Sequence, residues 1–268
     1  MSPNQRNLLP VPGAEISYLV RGSGPLLLLI PGGDGGSDGY NALAGNLSSH
    51  YKVVTYDRRG SYGSTLTFPV DEMDLQTHSE DARRLLDELA DGPAFIFGSS
   101  AGALIGLDLA IRHPSLIKML VAHEPPVEGL LDDFDQIQEE IHQSYLREGG
   151  MVAMYKMARQ LNLNYDDLEP GVVLPQRDPR ASKPPNFGYT FLAVHHYRLD
   201  VNALAFCGVK IVLAGGITGQ SNPAYRSTLA LADRLGKSLV HFPSHHAGYI
   251  SHPRAFAACL EDVLQEKT

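Results

Sequence analysis

The chain has 268 residues, of which 43% are hydrophobic, and its formal net charge at pH 7 is −8. This length and apolar content suit one large domain, or a core domain with an insertion. The acidic balance and the lack of a basic cluster argue against nucleic acid or an anionic membrane surface as a partner.

The sequence carries no apolar stretch of transmembrane length, and residues 1–13 lack the basic and apolar regions of a signal peptide. The two cysteines, Cys207 and Cys259, lie in apolar surroundings without metal-type spacing, which predicts buried free thiols. We therefore expect a soluble, cytoplasmic protein.

Two strands are predicted near the start, over 15–20 and 26–30, joined by a turn at 21–25. The second strand is apolar throughout, as expected for a strand covered on both faces. The glycine-rich segment 31–36 follows, and such a segment lets backbone N–H groups approach a ligand closely. A plain flexible loop is the alternative. A phosphate-binding loop is disfavoured because neither glycine-rich phosphate motif is present.

A helix over 40–48 and a strand over 51–56 come next, and Asp57 and Arg58 follow that strand. We interpret Asp57 and Arg58 as an ion pair that braces the loop, in preference to catalytic groups. A helix over 75–89 and a strand over 117–122 continue the alternation. Alternating strands and helices predict a parallel sheet with helices on both faces, with its chemistry at the carboxyl ends of the strands.

The most informative stretch is 94–112, where an apolar strand, a Gly-Ser-Ser-Ala-Gly turn and a helical pattern follow one another. This is the context of a nucleophile elbow, in which a serine sits at the centre of a tight, strained turn. Ser100 is the candidate nucleophile, and Gly98 and Gly102 allow the strand and helix to approach closely. The N–H of Ala101 lies at the helix N-terminus, where negative charge is favoured.

The alternation stops between 128 and 200, where helices over 132–147 and 151–161 precede a proline-rich passage and the aromatic segment 187–197. We predict a helical cap over 128–200, inserted into a core domain made of 1–127 and 201–268. Met151, Met154 and Met157 share one helical stripe, which indicates either ordinary cap packing or an adaptable apolar pocket wall.

The candidate substrate contacts in the cap are Met154, Phe187 and Phe191. The adjacent pair His195-His196 does not predict a metal site, because neighbouring histidines on a helix point in different directions and no third ligand is near. We therefore expect no metal.

The sheet resumes with strands over 209–214 and 238–242 around a helix over 223–235, and a last helix covers 253–264. A serine hydroxyl needs a base and an acid that orients that base. His241 lies within the last strand, which leaves His245 or His246 in the following loop as the base.

The elbow and the late histidine resemble the α/β-hydrolase superfamily, over nearly the whole chain. The resemblance implies the α/β-hydrolase fold: a mostly parallel sheet, helices on both faces and a helical cap insertion. It implies His246 as the base, because 246–253 is similar to the His-x-x-x-x-x-His-Pro ending of many members, and His252 as a helix-terminus residue. It also implies the N–H groups of Gly33 and Ala101 as the oxyanion hole.

Most members carry the triad acid after the strand that corresponds to 209–214, but here 215–223 holds no acidic residue and Asp233 falls within a helix. Glu124 follows the earlier strand, where a minority of the superfamily places its acid. Gly-Ser-Ser-Ala-Gly, His-Glu-Pro-Pro and His-Ala-Gly-Tyr-Ile-Ser-His-Pro are similar to the corresponding segments of fungal zearalenone lactonases. Those lactonases use a cap tryptophan against the substrate, and this chain has no tryptophan.

These patterns together predict a serine hydrolase with the triad Ser100, Glu124 and His246. We expect it to act on a carboxylic ester or lactone of an apolar or aromatic small molecule, through an acyl-enzyme and without a metal or organic cofactor. A carbon–carbon bond hydrolase, a non-hydrolytic enzyme of the same fold and a small-molecule receptor stay open as alternatives, and so does a homodimer.

Overall fold

The computed structural model describes residues 6–33, 35–69, 73–161, 163, 165–174 and 187–267, with the backbone alone at 187–190. The strands are β1 (Asn7–Val11), β2 (Ala14–Arg21), β3 (Leu26–Ile30), β4 (Lys52–Tyr56), β5 (Thr65–Leu66), β6 (Ala94–Ser99), β7 (Ile117–His123), β8 (Ile211–Gly216) and β9 (Leu239–Phe242). The helices are α1 (Asn41–Leu47), α2 (Leu75–Leu89), α3 (Ala101–Arg112), α4 (Asp132–Glu148), α5 (Gly150–Gln160), α6 (Phe187–His195), α7 (Val201–Phe206), α8 (Pro223–Leu235), α9 (Gly248–Ser251) and α10 (Pro253–Leu264).

The strands form one sheet in the order β1-β2-β4-β3-β6-β7-β8-β9, with β5 added to β2. From β4 to β9 all neighbouring pairs are parallel, whereas β1, β2 and β5 pair antiparallel. The α/β-hydrolase architecture expected from the sequence is therefore confirmed. Helices supply the crossover connections that parallel strands need.

Both faces of the sheet are covered, and β3 shows how. Its residues alternate between two cores, because successive side chains of a strand point to opposite faces. Leu28 joins the core formed with α2 and α3, whereas Leu27 and Leu29 join the core formed with α1 and α10. This explains why β3 is apolar at every position.

The register of the central strands sets the place of the site. Ser99 at the end of β6 pairs with His123 at the end of β7, and His123 pairs with Ala214 in β8. The residues that follow these three strands therefore emerge at the same edge of the sheet. Ser100 and Glu124 are two of them.

The N-terminal strands differ from the prediction in two ways. β1 lies outside the predicted strands, and its Pro10 is tolerated because an edge strand accepts a residue without an N–H. The predicted turn after β2 exists, yet β2 and β3 are not neighbours, since β4 lies between them.

The helices α4, α5 and α6 come between β7 and β8 in the chain. They share a small apolar cluster of Ile141, Ala153 and Phe191, against which Met154 and Met157 pack. Met151, in contrast, is 59% exposed and lies outside this cluster. None of the helices in the described ranges is both long and apolar enough to span a membrane.

Candidate active site

Ser100 connects β6 to α3 in a strained turn. Its φ and ψ angles are 56° and −126°, a region that residues with a side chain rarely adopt. The Ser100 N–H donates to the carbonyl oxygen of His123 at 2.8 Å, which ties the turn to the end of β7. This is the backbone geometry that a nucleophile elbow requires.

The two glycines of the motif are required by the close approach of strand and helix. A Cβ atom at Gly98 would lie 2.3 Å from the carbonyl oxygen of Gly102, and one at Gly102 would lie 2.1 Å from that of Ile30. Both distances are too short for any side chain. The tight packing predicted from the motif is thus a property of the backbone itself.

Glu124 leaves the end of β7 with a φ of 48°, and it is fully buried. Its Oε1 accepts from the N–H of Gly216 at 2.8 Å, and its Oε2 accepts from the side-chain amide of Asn222 at 3.3 Å. Nδ1 of His246 lies 2.5 Å from the same Oε2. Every carboxylate oxygen therefore has a donor, although the carboxyl is shielded from water.

Burial alone would raise the pKa of Glu124. The charge and hydrogen bond of His246, aided by the Gly216 N–H, outweigh that effect and leave the pKa below its ordinary value. Glu124 is therefore a carboxylate at neutral pH. Such a group can orient the His246 ring and stabilise the imidazolium form.

His246 lies in the loop after β9 and is 5% exposed. Its Nδ1 is engaged by Glu124, so its other ring nitrogen is the one left for a proton transfer. In the part of the chain that the structure describes, the Ser100 hydroxyl makes no hydrogen bond to His246. Such bonds are often long without substrate and tighten in the complex.

The predicted oxyanion residues Gly33 and Ala101 both line a cavity next to Ser100. Gly33 has a φ of 49°, which favours glycine at this position. The buried guanidinium of Arg58 fixes this loop, since its Nη2 donates to the carbonyl oxygen of Gly33 at 2.8 Å. Burial lowers the pKa of Arg58 to about 10, which still leaves it charged at neutral pH.

The predicted pairing of Asp57 with Arg58 is wrong. Asp57 instead binds Arg6, with Oδ2 2.7 Å from the guanidinium Nη1, and its Oδ1 accepts from the N–H of Ser37 at 2.8 Å. Asp57 and Arg58 are adjacent in sequence but serve separate hydrogen-bond networks. Both still brace the loops around the glycine-rich segment, as expected.

The cavity at Ser100 has a volume of about 50 Å³. Its lining is mainly apolar and comes from α4, α5, α6, α8 and the segments after β7 and α5. The apolar lining residues are Pro126, Phe134, Ile137, Ile141, Met157, Leu161, Phe191, Val194, Pro223 and Ala224, and Gln138 and Gln160 are the polar ones besides Ser100. A second cavity of about 260 Å³ shares Gly33, Met157 and Leu161 with the first. None of the described residues that line either cavity is charged.

Of the predicted substrate contacts, Phe191 lines the first cavity and Met154 lines the second. The side chain of Phe187 lies outside the described part of the chain. Met157, which the sequence placed on the same stripe as Met154, lines both cavities.

Sequence reasoning did not find Asn222, which contacts Glu124 and also caps α8 by accepting from the Ala224 N–H at 2.8 Å. The signal was present, since an asparagine directly before Pro223 marks a helix start. Its contact with Glu124 depends on the packing of α8 on the sheet, which the sequence does not reveal.

Two expectations about metal and thiol chemistry need correction. A third histidine, His142 of α4, does lie near His195 and His196, because α4 packs against α6. The expectation that no third ligand is near the two histidines is therefore wrong. Cys207 and Cys259 are free, as predicted, but both are half-buried instead of fully buried.

Comparison with known proteins agrees with this architecture. A family model described as "alpha/beta hydrolase fold" matches residues 25–151. The "Uncharacterized hydrolase YraK" of Bacillus subtilis is 37% identical over 263 residues, which cover 97% of this chain and 96% of that protein.

Among solved structures, a hydrolase from Pseudomonas aeruginosa matches with a TM-score of 0.73 and 23% identity, over 97% of this chain and 98% of that one. The enol-lactonase from Burkholderia xenovorans matches with a TM-score of 0.75 and 20% identity, over 97% of this chain and all of that one (100%). At these identities, the structural likeness concerns the fold alone.

Proposed function

The chain belongs to the α/β-hydrolase family, and we propose that it is a serine hydrolase that cleaves carboxylic esters or lactones of apolar small molecules. The observation that carries this proposal is the buried pair of Glu124 and His246 at the same sheet edge as the strained Ser100. A full-length relative named as a hydrolase supports the same reaction class.

In the proposed first step, Oγ of Ser100 attacks the carbonyl carbon while its proton passes to the free ring nitrogen of His246. Glu124 keeps the ring in the correct tautomer and stabilises the positive charge. The imidazolium then gives the proton to the leaving oxygen as the carbon–oxygen bond breaks. The product of this half-reaction is an alcohol and an acylated Ser100.

In the second step, His246 removes a proton from a water molecule that attacks the acyl group. The acid product leaves, and the hydroxyl of Ser100 is restored. The N–H groups of Ala101 and Gly33 are proposed to bind the oxyanion in both steps. Each donor of this kind can contribute about 3–4 kcal/mol to transition-state stabilisation. These steps require no metal ion or organic cofactor.

The lining of the two cavities supports an apolar, uncharged substrate. An ester carries one group on each side of its carbonyl carbon, and two cavities that share Gly33 suit such a molecule. The cavities differ in volume, at about 50 Å³ and about 260 Å³, which favours an ester whose two portions differ in size. We include lactones in the proposal because the three motifs resemble the corresponding segments of zearalenone lactonases.

The proposal is tested with a panel of p-nitrophenyl esters of increasing acyl length and a set of aromatic lactones. We expect turnover that Ser100→Ala lowers by about 10⁶-fold, as loss of a triad serine does elsewhere. Saturable binding of these compounds without turnover would contradict the proposal and favour a receptor. Turnover that survives Ser100→Ala would contradict the assigned nucleophile.

A further inference from the structure

Three imidazole rings meet where α4 packs against the C-terminal end of α6. The ring centroids of His142 and His195 are 4.5 Å apart, and His196 lies 5.5 Å from His195 and 6.0 Å from His142. One ring nitrogen from each of the three histidines lies within 4.8 Å of the other two. No step of the proposed hydrolysis uses this cluster.

His195 is held in a particular orientation by a buried carboxylate. Its Nδ1 lies 2.9 Å from Oε1 of Glu128, and the side chain of Glu128 is only 4% exposed. A carboxylate on one ring nitrogen fixes the tautomer and leaves the other nitrogen free to bind a metal. This outer-shell arrangement recurs at metal-ligating histidines.

A second carboxylate lies on the other side of the rings. Oε2 of Glu139 is 3.5 Å from Nε2 of His195 and 3.6 Å from Nδ1 of His142. Among the described residues, Nδ1 of His142 is buried and has no hydrogen-bond partner. Glu139 therefore places an oxygen between two imidazole nitrogens without a normal hydrogen bond to either.

We infer that His142, His195 and His196 form a binding site for a divalent transition-metal ion of the Zn²⁺ type, and that Glu139, which lies beside two of the three rings and has a 54% exposed side chain, turns to supply a fourth ligand. Imidazole nitrogens are ligands that Zn²⁺, Ni²⁺ and Cu²⁺ prefer, and a carboxylate oxygen completes a tetrahedral set. Zn–N bonds of ~2.0–2.1 Å place ligand nitrogens about 3.3 Å apart, so the rings need converge by only ~1–1.5 Å. His196 is exposed, which gives the ion an entry path.

Aromatic packing accounts for only part of this arrangement. The ring of His195 stacks on Phe191 with centroids 5.7 Å apart and planes inclined by 7°. That contact accounts for an aromatic ring at position 195. It does not account for the carboxylates of Glu128 and Glu139 on the two sides of the ring. A metal ion would give a bonding partner to the exposed His196 and to the buried ring nitrogen of His142 at the same time.

Occupation of this site would join α4 to the end of α6. Ile141, next to His142, and Val194, next to His195, both line the cavity at Ser100. A metal bound only by the folded chain stabilises that state by mass action. The site would therefore stiffen the wall of the substrate cavity without entering the hydrolytic chemistry.

The test is isothermal titration of Zn²⁺ into the chelator-treated full chain, with Mg²⁺ as the comparison ion. We expect one Zn²⁺ per chain, no comparable Mg²⁺ binding, and a rise in the thermal midpoint with Zn²⁺. His142→Ala and His196→Ala should each weaken Zn²⁺ binding at least about tenfold, because loss of even an outer-shell partner costs 10- to 100-fold. His196 is exposed, so its substitution leaves folding intact.

His50→Ala is the control, since the side chain of His50 is 59% exposed and pairs with Glu261 of α10. It should bind Zn²⁺ like the wild type. The inference would be overturned by the absence of saturable Zn²⁺ binding to the wild type, or by equal Zn²⁺ binding to the His142→Ala/His196→Ala double variant. Loss of binding in His246→Gln with retention in that double variant would place the ion at the proposed triad and would overturn it as well.

Discussion

Nδ1 of His246 lies 2.5 Å from Oε2 of Glu124, although the two residues are 122 positions apart in the chain. The contact joins the end of β7 to the loop after β9 and leaves both side chains almost fully buried. Ser100 emerges from the neighbouring strand end. A carboxylate–histidine pair enclosed in this way is suited to act as the acid and base of a serine nucleophile beside it.

Glu124→Gln should lower kcat by about 10⁴-fold, because the variant keeps the shape but loses the charge and favours the wrong histidine tautomer. Circular dichroism should show an intact fold. Asp233→Asn is the matched control, since Asp233 is exposed on α8 and far along the chain from the loop after β8. Loss of turnover in Asp233→Asn, with activity kept in Glu124→Gln, would show that the acid is assigned wrongly.

Arg58→Met should slow acylation of Ser100 by about 10²-fold, comparable to the loss of one oxyanion donor. The reason is that Arg58 holds the carbonyl of Gly33 and thereby the loop proposed to bind the oxyanion. The measurement is the rate of covalent labelling by a fluorophosphonate, together with the thermal midpoint.

The matched control is Arg59→Met, because Arg59 donates to the buried carboxylate of Asp81 and, among the described residues, makes no hydrogen bond to the Gly33 loop. Both variants should unfold at a lower temperature, since each removes a partner of a buried polar group. Only Arg58→Met should slow labelling. Equal slowing by both variants would assign Arg58 a purely structural role.

Met157→Ala should change substrate preference, because Met157 lines both cavities. The ratio of kcat/KM for long and short acyl esters should shift by roughly tenfold or more, the range that pocket methylenes produce. Met151→Ala, on the same helix but exposed, should leave the ratio unchanged. An equal effect of both substitutions, or of Met157→Ala on all esters, would favour plain cap packing.

His123→Phe should make the stability of the folded state less dependent on pH in the acid range. His123 is fully buried among Phe97, Phe242 and Phe256, and burial lowers its pKa to about 4, with nearby Glu124 opposing and His246 adding to the shift. An unfolded histidine titrates near 6.5, so the unfolded chain takes up a proton first as the pH falls. The stability associated with neutral His123 is complete above about pH 6.5 and is lost toward pH 4.

Urea unfolding at pH 7.5 and pH 5.0 measures this effect. From pH 7.5 to pH 5.0, the free energy of unfolding should fall by about 2 kcal/mol more in the wild type than in His123→Phe. A phenylalanine fits the aromatic surroundings, so the variant should fold. The same pH dependence in both proteins would contradict a neutral, buried His123.

Local signals made several elements predictable to the residue. Helix α8 begins and ends where expected, because Asn222 caps it, Pro223 opens it and Gly236 ends it in the left-handed region. The elbow was equally clear, since Gly98 and Gly102 flank Ser100 in a five-residue motif between an apolar strand and a helix. Such features depend on neighbours in sequence.

The contacts that could not be predicted from the sequence are those between elements far apart in the chain. The pairing of Asp57 with Arg6 requires β2 to lie beside β4. The approach of His142 to His195 requires α4 to pack on α6, and nothing in the local pattern of either helix indicates it. The choice of Met157 over Met151 as a cavity residue likewise follows from how α5 packs against α4 and α6.

The most direct test of the proposed triad is covalent labelling with a fluorophosphonate, followed by peptide mapping and rate measurement. The wild type should be labelled once, at Ser100, because only this serine has the proposed base and oxyanion donors beside it. His246→Gln should be labelled orders of magnitude more slowly, and Ser100→Ala not at all. Labelling at the buried Ser99, no labelling of active protein, or a wild-type rate in His246→Gln would contradict a nucleophile at Ser100 activated by His246.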